Sequence, residues 1–218
     1  MTHIIAPAKL TLSLKVTGVR EDGFHLIDAE MVSLELHDVL TITEGEMGMS
    51  VSGPFASGVP TDDSNLVTRA LQLCGKTAHI RIEKNIPHGG GLGGGSSDAA
   101  AVLRWAGYSD YVAASRLGAD IPFCMHGGRA RVTGIGEILE PLAFVEREIT
   151  LVVPPFGVST PAVYKAFDSL HAQHDGPNDL EPAAIAVEPR LAQWRDRIRE
   201  ASGQFPVLAG SGATWWLD

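Results

Sequence analysis

Six glycines and two serines crowd the stretch Pro87-His88-Gly89-Gly90-Gly91-Leu92-Gly93-Gly94-Gly95-Ser96-Ser97-Asp98, which runs straight into the helix-forming Ala99-Ala100-Ala101-Val102-Leu103. A loop with so few Cβ atoms lets backbone N–H groups converge on an anion. The opening turn of the helix adds unpaired donors and a partial positive charge. The stretch therefore reads as a phosphate cradle. A flexible linker is the competing reading, and the uninterrupted helical run that follows argues against it.

What precedes the loop narrows the kind of cradle. Gly89, Gly91 and Gly94 match the spacing of a dinucleotide fingerprint, which needs a buried parallel strand before it. Here Ala78, Ile80 and Ile82 alternate with His79, Arg81 and Glu83, the pattern of a half-exposed antiparallel strand. A Walker loop needs Lys before its Ser or Thr, and Gly95 stands before Ser96. The glycine loop of protein kinases needs a following Val and a His-Arg-Asp segment downstream, and both are missing.

The formal net charge of −9 disfavours non-specific binding to nucleic acid or anionic membranes, so a small ligand is expected. No apolar run reaches spanning length. Met1 to Pro7 lacks the charged region and apolar core of a secretory signal, and a cytoplasmic location is expected. Cys74 falls in a helical pattern and Cys124 in a Gly/Pro-flanked loop, without metal-type spacing; both read as reduced thiols, Cys124 as packing.

Strands and helices are mixed without βαβ alternation, which predicts an α+β fold. Leu10, Leu12, Leu14 and Val16 alternate with Lys9, Thr11, Ser13 and Lys15, a strand with one wet face on which Lys9 and Thr11 point the same way. An Asp22-Gly23 turn leads to strands at Val32–Leu36 and Leu40–Thr43. Asp63-Ser64 reads as the cap of a helix through Leu66, Val67, Ala70, Leu71 and Cys74, and a short helix is expected over Tyr111–Leu117. A strand pair is expected around Arg129–Val132 and Ile149–Val153, before the Pro154-Pro155 break. Thr160-Pro161 starts a helix with Val163, Tyr164 and Phe167; Leu191, Trp194 and Ile198 have helical spacing. Val207–Ala209 and Thr214–Leu217 read as closing strands.

If the loop holds a triphosphate, phosphoryl transfer needs a carboxylate at the acceptor hydroxyl and a cation to offset charge. Asp120, between Leu117-Gly118-Ala119 and Ile121-Pro122-Phe123, is the best-placed carboxylate, and a loop or cap role stands beside the catalytic one. Lys9, among the small residues Ala6-Pro7-Ala8, is a candidate partner, although lysines on strands more often only solubilise. Phe24-His25 offers a ring and a donor/acceptor suited to a heterocyclic base. His171 and His174 lack a third ligand and read as loop or helix-end residues.

Four segments together resemble the GHMP small-molecule kinases: Ala6 to Leu10, Asp22 to His25, Ile86 to Ala101, and Leu117 to Phe123. Asp63 to Leu66, Ser159 to Pro161, Asn178 to Leu180 and Leu208 to Thr214 add support in the family's order. Gly23-Phe24-His25 and Gly118 to Phe123 resemble most the member that acts on a diphosphocytidyl alcohol. The resemblance implies a two-lobed fold, an N-terminal ATP-binding domain over 1–145 and a shortened C-terminal domain over 146–218, with ATP and substrate in the cleft between. It implies transfer of the γ-phosphate of ATP to a 2-hydroxyl, with Asp120 as catalytic base and Lys9 as its electrostatic partner. His25 would bond the cytosine, with Phe24 and Tyr164 stacking on it, and Thr11, Thr160 and Gly212 would border the acceptor. Pro87, Gly89, Gly90, Gly91, Leu92, Gly93, Gly94, Gly95, Ser96 and Ser97 would wrap the phosphates, with Asn65 and Lys84 toward the adenosine. Mg²⁺ would accompany ATP, with Ser97 the one candidate protein ligand. Thr11 stands where the family commonly has Asn, and Phe24 where it has Tyr. The chain is short for the family, which implies trimmed helices and a monomer or weak homodimer. Another alcohol, such as homoserine or a sugar, and a non-catalytic nucleotide-binding role are the alternative readings.

Overall fold

Alternation over Leu10–Val16 and again in the second strand produces two long strands, β1 (Thr2–Val19) and β2 (His25–Glu44), joined by a turn at Asp22-Gly23 and paired antiparallel with three shifts of register. The computed structural model describes residues 1–170 and 175–218; the expectations for His171 and His174 fall outside them. Val32–Leu36 and Leu40–Thr43, expected as separate strands, lie within the one strand β2. No Gly or Pro separates them, so nothing breaks the ladder.

The next elements are β3 (Gly48–Ser52), α1 (Leu66–Cys74), β4 (Ala78–Glu83) and α2 (Gly94–Trp105), followed by α3 (Tyr111–Ser115), α4 (Ile121–His126), β5 (Arg129–Gly134) and β6 (Ile138–Pro141). Along one side β2 pairs with β1. Along the other it pairs with β5 over Ile27–Val32 and with β4 over Val39–Glu44. β3 and β6 form the ends, β3 parallel to β4. Ala78, Ile80 and Ile82 of β4 are buried, as the alternation predicts. The helix after β3 is capped by Asn65, not Asp63 or Ser64: the Asn65 side chain accepts from the Val67 N–H at 2.9 Å, while Ser64 folds back onto Asp62. The short helix ends at Ser115 rather than Leu117, and the segment expected as a loop around Cys124 is α4, where Cys124 is buried. Burial pushes that thiol up to about 12, consistent with packing rather than chemistry.

The remaining chain builds a second layer from β7 (Thr150–Val152), α5 (Thr160–Leu170), α6 (Glu181–Val187), α7 (Arg190–Ser202), β8 (Val207–Leu208) and β9 (Trp215–Leu217). β7 pairs with β9 and β9 with β8 in a separate three-stranded sheet. The expected pairing of Arg129–Val132 with Ile149–Val153 is therefore wrong: β5 pairs with β6 instead, because the Gly134–Gly136 turn lets the chain fold back at once. Leu14 is one of the residues that tie the lobes together. The N–H of Leu14 donates to the Pro177 carbonyl at 2.8 Å, and the Leu14 carbonyl accepts from Asp179 at 2.9 Å. An apolar cluster of Ala8, Leu10 and Leu12 with Ile86, Leu92, Ala209 and Trp216 fills the space between them.

The wet face expected for β1 is corrected by this packing. Lys9 and Thr11 are buried, and the strand emerges only at its two ends, at Thr2, His3 and Ile5 and again from Lys15. Leu10 and Leu12 point into the inter-lobe cluster, so Lys9 and Thr11 face the opposite way, into a cleft beneath the glycine loop and α2. Among the described residues no helix is long and apolar enough to cross a membrane.

Candidate active site

The cleft between the lobes has a volume of about 430 Å³ and is floored by β1, roofed by the glycine loop and closed on the far side by α5 and the turn before β9. Its phosphate end follows from backbone chemistry. Gly93 is the N-cap of α2 in the left-handed region (φ 70°), and no side chain caps the first turn. The first N–H to find a helix acceptor is that of Ser97, on the Gly93 carbonyl at 2.8 Å; the N–H groups of Gly94, Gly95 and Ser96 precede it and have no carbonyl within the helix to take them. With the helix dipole behind them they form an anion-binding end.

The loop is held from both sides. Its Gly89 and Gly90 carbonyls accept from Ala213 and Thr214 at 3.3 and 3.1 Å, and the Leu92 carbonyl accepts from the Lys9 N–H at 3.0 Å. The approach is so close that a Cβ on Gly91 would lie 2.3 Å from the Ala209 carbonyl oxygen. Glycine at this position thus lets the two lobes meet.

Lys9 Nζ stands 3.1 Å from Asp120 Oδ2 and donates to Thr11 Oγ1 at 3.2 Å. Asp120 is the N-cap residue of α4, yet its side chain caps nothing. Of the two readings left by the sequence, the geometry removes the capping one: this carboxylate turns into the cleft toward the lysine, with its side chain 30% exposed. Thr160 Oγ1 meets Ser211 Oγ at 2.7 Å on the opposite wall, where Tyr164 also lines the cleft. Burial, and secondarily Asp120, push the Tyr164 hydroxyl up to about 12, so its proton stays in place.

Tyr164 stacks on His25 with ring centroids 4.7 Å apart, and His25 Nε2 lies 2.6 Å from Asp168 Oδ1. The structure thus brings His25 and Tyr164 together across 139 positions of sequence. Phe24 is turned outward, 55% exposed, with the Arg20 guanidinium 5.7 Å from its ring centre.

Other candidates sit apart from the cleft lining. The Asn65 amide is spent on the α1 cap and on the Pro60 carbonyl at 2.6 Å. The Ser97 hydroxyl is fully buried and donates to the Pro7 carbonyl, which removes it as the candidate Mg²⁺ ligand. Gly212 backs onto Leu208 and Val158. Lys84 is buried and donates to both Asp38 and Asp98, the latter at 2.6 Å. Asp38, Asp98 and Ser211 were not singled out from the sequence. Asp38 could have been suspected because it sits in the apolar frame Leu36-His37-Asp38-Val39-Leu40; Asp98 and Ser211 carried no such signal.

Residues 65–128, the stretch from the α1 cap through the glycine loop to the end of α4, match the domain described as GHMP kinases N terminal domain. The 4-diphosphocytidyl-2-C-methyl-D-erythritol kinase of Paracoccus denitrificans (strain Pd 1222) is 44% identical over 233 residues, covering 96% of this chain and 84% of that protein. The protein of the same name from Cereibacter sphaeroides (strain ATCC 17029 / ATH 2.4.9) is 38% identical over 248 residues, covering 98% and 88%. A crystal structure of 4-(cytidine 5'-diphospho)-2C-methyl-D-erythritol kinase superposes with a TM-score of 0.76 at 33% identity, over 99% of this chain and 89% of that one. The chain belongs to the 4-diphosphocytidyl-2-C-methyl-D-erythritol kinase family, and its fold is the two-lobed GHMP kinase fold.

Proposed function

We propose that this chain transfers the γ-phosphate of ATP to the 2-hydroxyl of 4-diphosphocytidyl-2-C-methyl-D-erythritol, a step in the non-mevalonate route to isoprenoid precursors. One observation carries the reading: a single cleft holds both the uncapped N-terminus of α2 and the Lys9–Asp120 pair. The first is a donor-phosphate site, the second an acceptor site. Asp120 takes the proton of the 2-hydroxyl as the new O–P bond forms and the bond to ADP breaks. Lys9, 3.1 Å from that carboxylate, offsets charge on the transferred group. The stretch from Pro87 to Ser96 cradles the phosphates. His25 with Tyr164 and Phe24 holds the cytosine, and Thr11 and Thr160 border the acceptor.

Among the described residues no group of side chains builds a protein cage for Mg²⁺. The cleft offers one carboxylate, Asp120, and it is already paired, so the ion is read as arriving on the triphosphate with mostly water and phosphate ligands. The division at 145/146 is supported by the six-stranded sheet lying before it and the three-stranded sheet after it. Two free cysteines suit a cytoplasmic protein.

A coupled ADP-release assay with the diphosphocytidyl alcohol against homoserine, galactose and mevalonate tests the reading. Turnover is expected with the first alone. Equal turnover across the panel would refute the substrate assignment. Asp120→Asn is expected to lower kcat by about 10²–10⁴-fold with ATP binding kept; wild-type kcat in that variant would refute the role of Asp120.

A further inference from the structure

Lys84 lies immediately ahead of the phosphate loop and is 3% exposed. Its ammonium donates to Asp38 on β2 and, at 2.6 Å, to Asp98 on α2. Both carboxylates are buried. The second oxygen of Asp38 accepts the N–H groups of Asn85 and Ile86 at 2.5 and 2.8 Å, so Asp38 grips the chain at three consecutive residues as it enters the loop. The Lys84 backbone is fixed too, its N–H on the Ser52 carbonyl at 2.8 Å. At the other end of the loop, a Cβ placed on Gly94 would lie 3.3 Å from Lys84 Nζ and 3.1 Å from Ile86 Cγ2. The ammonium therefore sits directly behind the first residue of α2, whose N–H faces the anion site.

We propose that Asp38, Lys84 and Asp98 are positioning residues for the phosphate loop: a buried carboxylate–ammonium–carboxylate post that sets where α2 begins, with Lys84 held away from the nucleotide. The inference rests on the reading that this loop binds the phosphates of ATP. Buried ion pairs are poor sources of net stability, because desolvation offsets their attraction. Their use is geometric: one ammonium joined to two carboxylates fixes the distance between β2 and α2, and the loop spans the ends so fixed. With both carboxylates ionised the post carries one excess negative charge behind the anion site. Asp98 Oδ1 is buried without a partner, so that charge is poorly satisfied.

The test is steady-state kinetics with ATP and the diphosphocytidyl alcohol, together with calorimetric binding of inorganic tripolyphosphate and of adenosine, on wild type, Lys84→Met and Asp98→Asn. Lys84→Met is expected to raise KM for ATP and Kd for tripolyphosphate by the same factor, about 10-fold or more, with KM for the alcohol and Kd for adenosine unchanged. Asp98→Asn keeps the shape and removes the excess charge. It is expected to fold and, at about pH 8.5 where the carboxylate of wild type is ionised, to tighten tripolyphosphate and ATP equally by about three-fold. If Lys84→Met does not fold, Asp98→Asn carries the test. Loss of adenosine affinity with tripolyphosphate affinity intact in Lys84→Met would overturn the proposal, since it would place Lys84 on the nucleoside. Unchanged tripolyphosphate affinity in Asp98→Asn would overturn it equally. Absence of turnover in wild type while tripolyphosphate still binds would count against the proposed function and not against the post.

Discussion

Gly93→Ala tests how the glycine loop places Lys9, because the added Cβ would meet the lysine stem. Gly93 has φ 70°, and a Cβ there would lie 2.7 Å from Lys9 Cγ and 3.1 Å from Lys9 Cε. Carbon atoms in contact sit at about 3.5–4.0 Å, so the lysine stem has to retreat by roughly 1 Å. Its ammonium is 3.1 Å from Asp120 and 3.2 Å from Thr11, and a shift of that size breaks both contacts. A misplacement of about 1 Å at a reacting centre can cost about 10²-fold in rate. The left-handed backbone adds a stability cost of about 1–2 kcal/mol for a residue with a Cβ. At roughly 2–4 °C per kcal/mol for a chain of this size, Tm is expected to fall by about 2–8 °C. Gly107→Ala is the control: φ is 69° and nothing lies within 4 Å of its Cβ position. The two variants should lose similar stability in thermal melts. Only Gly93→Ala should lose kcat in the ADP-release assay at saturating substrates. A Gly93→Ala kcat within about three-fold of the Gly107→Ala value would refute the claim that the loop sets the position of Lys9.

Asn178→Ala removes an amide that donates to Leu208 and Gly210 at 2.8 and 2.7 Å and accepts from Leu180 at 2.9 Å. Three buried backbone groups lose their partner, and chemical denaturation should show a loss of about 2–4 kcal/mol. Tyr164→Leu is expected to raise KM for the diphosphocytidyl alcohol about 10-fold and leave KM for ATP unchanged, the scale of one aromatic–base stack; equal changes in both would place the ring elsewhere. Burial, with Asp38 nearby and Lys84 opposing, raises the Asp98 pKa from 3.8 to about 7. The folded protein thus holds a proton there more tightly than the unfolded chain. The stability this contributes is complete below about pH 4 and is lost as the pH rises to about 7, an effect of roughly 1–4 kcal/mol. Asp98→Asn should flatten that decline in denaturation curves taken between pH 5 and pH 8, and an unchanged slope would show that Asp98 does not titrate there.

The phosphate end of the site was readable because it is made of backbone: a run of glycines before a helix start needs no distant partner to declare its chemistry. The fold's alternating strands were readable for a similar reason, since period-two polarity follows from the pleat itself. The errors arose where a distant segment decides the environment. Alternation marks Lys9 and Thr11 as polar, but it does not distinguish a face in water from a face under another element. Here α2 and the second lobe cover that face, turning a solubilising pattern into a cleft wall. Lys84 shows the same ambiguity from the other side. In sequence it is one more cation before a phosphate loop, and the resemblance sends it to the adenosine. Its surroundings are set by the register of β2 against β4, which pairs Val39 with Glu83 and so brings Asp38 alongside Lys84. An ammonium that is 3% exposed and gives two of its three donors to buried carboxylates is enclosed by the protein and held away from the cleft lining. Which polar residues face a cleft and which meet each other is thus a property of strand register and packing, and in this chain it divides two lysines near one loop into one that lines the cleft beside Asp120 and one that is enclosed by Asp38 and Asp98.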